Sequence, residues 1–150
     1  SNNDNYYYSF FNRNKINFLN RILEIIIPET DSPGANALNL SKFIDAYISR
    51  NISSKDQNYL NVSIDEFIKM IVTSENKLSI EDVDNKNLER YFSEHIDNES
   101  MIANDGKNYS EICNILREMG VNSYMANKYV MINMLGFVSV PGYYDGNVDI

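Results

Sequence analysis

The fold turns on residues 25–35, Ile25-Ile26-Ile27-Pro28-Glu29-Thr30-Asp31-Ser32-Pro33-Gly34-Ala35, and on Phe43-Ile44-Asp45 just beyond them. Upstream of Pro28, apolar residues stand at Ile16, Leu19, Ile22, Leu23, Ile26 and Ile27. That three-and-four spacing is the stripe of a helix with one buried face, predicted over 12–27. Pro28 disfavours helical geometry at the residue before it, so the helix must stop there. Ser32-Pro33-Gly34 is a turn signal, with Pro presetting one central position and Gly accepting positive φ at the next. Asn39 then stands where a cap is needed for a second helix whose apolar face is Leu40, Phe43, Ile44, Tyr47 and Ile48, ending near Arg50. Two helices joined by a short turn make a hairpin. It is expected to bury Leu19, Ile22, Leu23, Ile26, Phe43, Ile44 and Tyr47.

The rest of the chain reads the same way. Ser63-Ile64-Asp65-Glu66 has the form of a capping box, although Leu60 and Val62 suggest a third helix beginning earlier, near Lys55. Ser79 and Asp82 form a weaker box ahead of a fourth helix carrying Val83, Leu88, Tyr91, Phe92 and Ile96. Asn108 and Glu111 open a fifth helix that Gly120 is expected to close, and Ser123 a sixth that runs to Leu135. The expected fold is all-α: a single-domain bundle of five or six helices over 12–150, preceded by a loose, Tyr-rich arm at 1–11 and ending in an extended tail with turn signals at Pro141-Gly142 and Asp145-Gly146.

Composition narrows the function classes. Hydrophobic residues are 43% and charged residues 23% of 150, ordinary for one globular domain. Thirteen basic residues against 21 acidic give a net charge of −8, which repels a phosphate backbone, so nucleic acid is not an expected partner. No apolar run is long enough to span a bilayer; the run at Ile22–Ile27 is interrupted by Glu24 and stopped by Pro28. No basic stretch followed by an apolar run opens the sequence, so any export signal is expected to lie outside it.

The residues of site chemistry are sparse. Cys113 is the only cysteine and His95 the only histidine, which leaves no haem-attachment motif and too few soft ligands for zinc. Both sit within helical patterns, and His95 is expected to be a solvated helix residue. Placing Gly106 at the sixth position of a calcium loop puts Met101 and Ile112 at the first and twelfth, where oxygen ligands are needed. No Gly-rich phosphate loop is present, so no nucleotide or flavin site is expected in this chain. Asp65-Glu66 and Glu81-Asp82 sit at predicted helix starts, where negative charge complements the dipole.

The turn and the tail carry a resemblance. An aliphatic helix end meeting Pro, an acidic link, Pro-Gly-Ala and then a helix with Phe-Ile-Asp resembles the signature of the gluconate 2-dehydrogenase subunit 3 family. The closing Val138-Ser139-Val140-Pro141-Gly142-Tyr143-Tyr144-Asp145-Gly146 is similar to that family's last segment. The middle, about 50–120, matches only as helices of suitable length. The resemblance implies a small periplasmic subunit without a cofactor of its own, accompanying a flavin-dependent dehydrogenase large subunit that carries FAD and, commonly, a cytochrome c subunit. The residues expected to contact the partner are Glu29, Asp31, Pro33 and Gly34 of the turn, and Tyr143 and Tyr144, whose paired rings suit an interface. The alternative is a free-standing helical ligand-binding domain or enzyme with a cleft near His95 or Asp82. Asp31 is expected to organise the turn by bonding backbone amides.

Overall fold

The structure, a computed structural model, describes residues 6–134, with side chains described as far as Lys128. It holds α1 (Arg13–Ile26), α2 (Leu40–Asn51), α3 (Ser54–Ser74), α4 (Asn85–His95) and α5 (Ser110–Met134), with a 3₁₀ turn Ile80–Asp82 ahead of α4 and no strand among the described residues. The all-α expectation holds. The expected extended tail lies outside the described residues.

α1 is the hub and packs against α2, α3, α4 and α5. Its stripe places Phe18, Leu19, Ile22 and Leu23 at no more than 1% exposure. Each such side chain contributes about 1.5–3 kcal/mol when fully buried. Ile64, Phe67 and Ile71 of α3, Leu88 and Phe92 of α4, and Ile112 and Leu116 of α5 complete the core.

Side-chain caps set the helix starts. Asn12 accepts from the Lys15 amide at 3.0 Å, Ser53 from Asp56 at 3.2 Å, and Asp84 from Asn87 at 2.8 Å. Asn108 binds the loop before α5 together: its amide group donates to the carbonyls of Asn98, Glu99 and Met101, while its oxygen accepts from the Ser110 amide at 3.0 Å.

Four expectations change. Asn39 is the residue before α2, but with φ 56° it is left-handed and makes no capping bond to the helix; its oxygen accepts from Lys42 Nζ at 3.1 Å instead. Of the two starts the sequence offered for α3, the earlier one near Lys55 holds and the Ser63–Glu66 box does not, because Ser53 caps a helix whose buried residues Leu60, Ile64, Phe67 and Ile71 run straight through the box. The box at Ser79 starts only the 3₁₀ turn, and Asp84 starts α4. The two last helices are one: Gly120 lies inside α5, and Ser123 returns its hydroxyl to the Gly120 carbonyl at 3.0 Å. Gly120 is small because α1 is close there. A Cβ on it would meet Leu23 Cδ2 at 3.2 Å and Ile26 Cδ1 at 3.3 Å.

The arm also differs where it is described. Residues 6–11 are not loose, since Asp45 of α2 accepts from the amides of Ser9, Phe10 and Phe11 at 2.7, 2.8 and 2.9 Å and from the Tyr6 hydroxyl at 2.8 Å. Phe11 is drawn into the core, 4% exposed.

Candidate partner-binding surface

The link between α1 and α2 is held from beneath. The Ile27 amide closes α1 onto Leu23 O at 2.8 Å, and the Ala35 amide reaches back to Ile27 O at 2.9 Å, so the chain returns to the point where the helix ended. Two amides inside this loop, Glu29 and Asn36, are each taken at 3.0 Å by the two carboxylate oxygens of Glu24. The carboxylate that organises the turn is therefore Glu24, on the last turn of α1, and not Asp31 as the sequence suggested. Glu29, Asp31, Ser32 and Pro33 face solvent above this clamp.

Gly34 is buried, and its φ is not in the left-handed region, contrary to the turn type expected. Its reason is close approach. A Cβ there would lie 2.6 Å from the Glu29 backbone nitrogen and 2.9 Å from Glu24 Cδ, and would collide with Glu24 Oε2. The two pieces of the signature are thus tied to the same clamp: Pro28 ends the helix, and Gly34 lets the returning strand pass against the carboxylate that holds the link.

Asp45, the acidic residue of Phe43-Ile44-Asp45, is fully buried. Three successive backbone amides of the arm converge on it, an anion-binding concavity made by the chain itself. Burial, together with the bond to this carboxylate, pushes the Tyr6 hydroxyl up to about 12. Sequence reading missed both Asp45 and Glu24. The available signal was position: Asp45 follows Ile44 and precedes Ile48 by three, so it stands at the edge of the buried stripe where an unpartnered carboxylate would be costly.

Phe43 and Tyr47 are not buried in the hairpin as expected. Phe43 is 38% exposed because α2 leans on α5 as well as α1 and leaves an open groove between them. The groove has a volume of about 230 Å³ and is walled by Phe43, Ile44 and Ile48 on one side and Ile115 and Met119 on the other. A second cleft, of about 370 Å³, lies beside Lys69, Asp105 and Lys107. A third, of about 330 Å³, lies next to the turn, between Glu24, Pro28 and Asn36 and the Asn85 end of α4. There Arg21 ties α1 to the α4 start through Asn85 Oδ1 at 2.7 Å and the Ile80 carbonyl at 2.9 Å.

Neither His95 nor Asp82 lines these clefts. His95 is not solvated. It is 1% exposed, edge-on to Phe67 and Tyr109, with Nδ1 unpartnered. Leu88, Tyr91, Phe92 and His95 fall on one face of α4 at three-and-four spacing, which carries the imidazole inward. Burial lowers its proton affinity. The Cys113 thiol, also fully buried, is pushed up to about 12 by desolvation, far from the depressed range of reactive thiols. Among the described residues no three His, Cys, Asp or Glu side chains gather as a metal set, and no helix is long and apolar enough to cross a membrane.

Of the residues expected at a partner contact, Glu29, Asp31 and Pro33 are exposed on one short turn, Gly34 lies beneath it, and Tyr143 and Tyr144 lie outside the described residues. The chain has no match among curated proteins and none among solved structures. A family model for gluconate 2-dehydrogenase subunit 3 matches residues 13–142, from the first turn of α1 through the Pro-Gly pair of the tail. With the whole turn signature and the start of the tail segment inside that span, the chain belongs to the gluconate 2-dehydrogenase subunit 3 family.

Proposed function

We propose that this chain is a non-catalytic small subunit that binds and stabilises the FAD-containing large subunit of a flavin-dependent sugar-acid or alcohol dehydrogenase, working in the periplasm, with a cytochrome c subunit as a further partner. The observation that carries this reading is the family match over residues 13–142. The subunit supplies surface, and the chemistry belongs to the partner. A protein that binds only the folded large subunit raises its stability by mass action, by about 2.7 kcal/mol when present at a hundred times the dissociation constant.

The turn is the part of the surface best suited to the contact. Glu29, Asp31 and Pro33 are exposed, while the clamp holds the Glu29 amide at one end of the link and the Asn36 amide at the other, which lowers the ordering cost of docking. Tyr143 and Tyr144 are the aromatic anchors of the same reading.

The test is co-expression with a flavin-dependent dehydrogenase large subunit from the same organism, followed by purification on a tag placed on this chain. A yellow complex retaining FAD, and a large subunit that loses solubility or melts earlier without this chain, is the expected result. Fractionation should place the complex in the periplasm. A partner-free chain that oxidises a sugar acid by itself would overturn the proposal.

A further inference from the structure

α4 ends at His95 and α5 begins at Ser110, so residues 96–109 form a connection well beyond the roughly 2–8 residues usual between helices of a bundle. Most of it is exposed. Its two flanks go inward: His95 just before it and Tyr109 at its end are 1% and 4% exposed. Their rings meet edge-on with centroids 5.7 Å apart, and both rest on Phe67 of α3, at 5.8 and 5.4 Å. The loop is thus closed at its base by a ring contact between the two residues that bracket it.

We propose that this His95–Tyr109 contact is an acid-sensitive clasp: at neutral pH it holds residues 96–109 against the bundle, and protonation of His95 releases them while the helices stay folded. Nδ1 of His95 is buried without a partner among the described residues. An imidazolium donates from both ring nitrogens. Whichever tautomer the neutral ring adopts, the charged one therefore places an N–H at Nδ1 where no described group stands to accept it, and a charge among aromatic rings, which is costly away from water.

The surroundings offer little relief. Burial lowers the proton affinity of His95 more than Glu94 on its own helix and Asp105 in the loop raise it. Asp105 is already committed to the Tyr109 hydroxyl and the Lys107 amide. From α3 comes Glu66, paired with Lys107 at 3.2 Å. α1 presents Phe18 against Phe67 and, one turn earlier, Lys15, paired with Asp65 at 3.1 Å. The first turn of α5 carries Glu111, which takes the Tyr59 hydroxyl, and the Cys113 thiol, pushed up to about 12 by burial.

Opening the loop solvates the imidazole and disturbs mainly surface ties. Asp97 to Arg117 at 2.9 Å, the Asp97 amide to Asn114 at 3.0 Å and Asn104 to Ser74 at 3.3 Å are exposed bonds, and exposed pairs are individually weak. Turning α4 outward would instead expose Leu88 and Phe92, which the core buries. Release also dismantles one wall of the cleft of about 370 Å³, because Asn104, Asp105, Lys107 and Tyr109 all come from this segment.

The inference does not depend on the subunit reading, because its experiment uses the 150-residue chain alone. His95 is the only histidine, so the ring signals in a proton–carbon NMR titration report its protonation directly. Hydrogen exchange at the bonded amides of Asp97, Met101 and Ala103, expressed as protection factors, reports the opening. Below about pH 6.5 the open state takes up the proton before the closed one, so protection at these amides should fall by up to about tenfold per pH unit, while the amides of α1 keep theirs. His95→Phe fills the space without a titrating group and should make loop protection level across the same window. If that variant does not fold, Asp97→Asn gives the second measurement: weakening the tie to Arg117 favours the open state and should move the His95 midpoint upward. A His95 that titrates at its ordinary value with the loop still protected overturns the proposal. So does a fall in protection that His95→Phe retains, or a loss shared equally by the loop and α1.

Discussion

Replacing Asp45 by Ala should undock the arm. The carboxylate accepts three backbone amides at 2.7–2.9 Å and one hydroxyl at 2.8 Å. A hydrogen bond to a charged group contributes about 1.5–3 kcal/mol, but a donor that can turn to water recovers most of that. Tyr6, Ser9 and Phe10 are only partly buried at these bonds, so their loss is largely made good. The Phe11 amide is buried, and stranding it costs about 1–3 kcal/mol. If the arm frays to solvate that amide, the Phe11 ring leaves the core at a cost of about 1.5–3 kcal/mol. Removing a buried charge returns part of this. The net expectation is a loss of about 2–4 kcal/mol, a large fraction of a domain's usual 5–15 kcal/mol. Asp45→Asn keeps one acceptor and should lose about half as much. Urea unfolding monitored by circular dichroism gives the loss, and hydrogen exchange at the amides of residues 9–11 shows whether the arm opens before the bundle. A loss below about 1 kcal/mol, with those amides still protected, would refute the reasoning that this carboxylate holds the arm.

Gly34→Ala should cost about 1–3 kcal/mol through overpacking, because the added carbon meets the Glu29 backbone and cannot be relieved by a rotamer; an unchanged melting temperature would contradict this. Gly120→Ala should be near neutral, since the crowded atoms of Leu23 and Ile26 are side-chain ends and helix propensity improves by about 1 kcal/mol. Gly120→Val should lose about 1–3 kcal/mol in urea unfolding, and equal stability of the two variants would argue against the close approach of α1 and α5. Burial lowers the folded-state pKa of His95, so below its unfolded value of about 6.5 the unfolded chain takes up the proton first and stability falls as pH falls. His95→Phe should flatten that limb of the stability curve, and an identical pH profile for the variant would show that another group carries it. Asp31→Ala with Glu29→Ala should leave melting unchanged and weaken co-purification with the large subunit; a lowered melting temperature with intact binding would assign the pair to the fold.

Helix existence was legible where a single stripe met a strong stop signal. α1 and α2 fall within a residue of their expected bounds because Pro28 and the pattern from Leu40 admit little else. The failures have specific causes. Gly120 reads as a terminator by its residue type, yet the same lack of a Cβ serves two crossing helices, and sequence spacing does not separate a left-handed cap from a close approach. Ser63-Glu66 has the right letters for a cap, but local capping is worth about 1 kcal/mol and cannot break a helix whose buried face continues through Ile64 and Phe67. His95 was read by its chemistry and not by its place on the α4 stripe. The arm bond to Asp45 links residues more than 30 apart, beyond anything local periodicity can show.

The signature divides once the contacts are known. Pro28, Gly34 and Asp45 have duties that the fold itself demands: stopping α1, admitting the Glu24 clamp and holding the arm. Glu29, Asp31 and Pro33 have no comparable demand on them, since they stand in solvent above amides that Glu24 already satisfies. Loops run over the surface and are more mobile than the elements they join. Here the base is fixed by a carboxylate, a buried glycine and a helix stop, all within eleven residues of one another. Rigidity that the fold does not require of an exposed loop tip is what a docking surface requires of it, because each residue already ordered is one whose entropy is not lost on binding. Under the proposed subunit reading, recognition falls to exposed residues of the turn, Glu29, Asp31 and Pro33 among them, and the buried ones set their geometry.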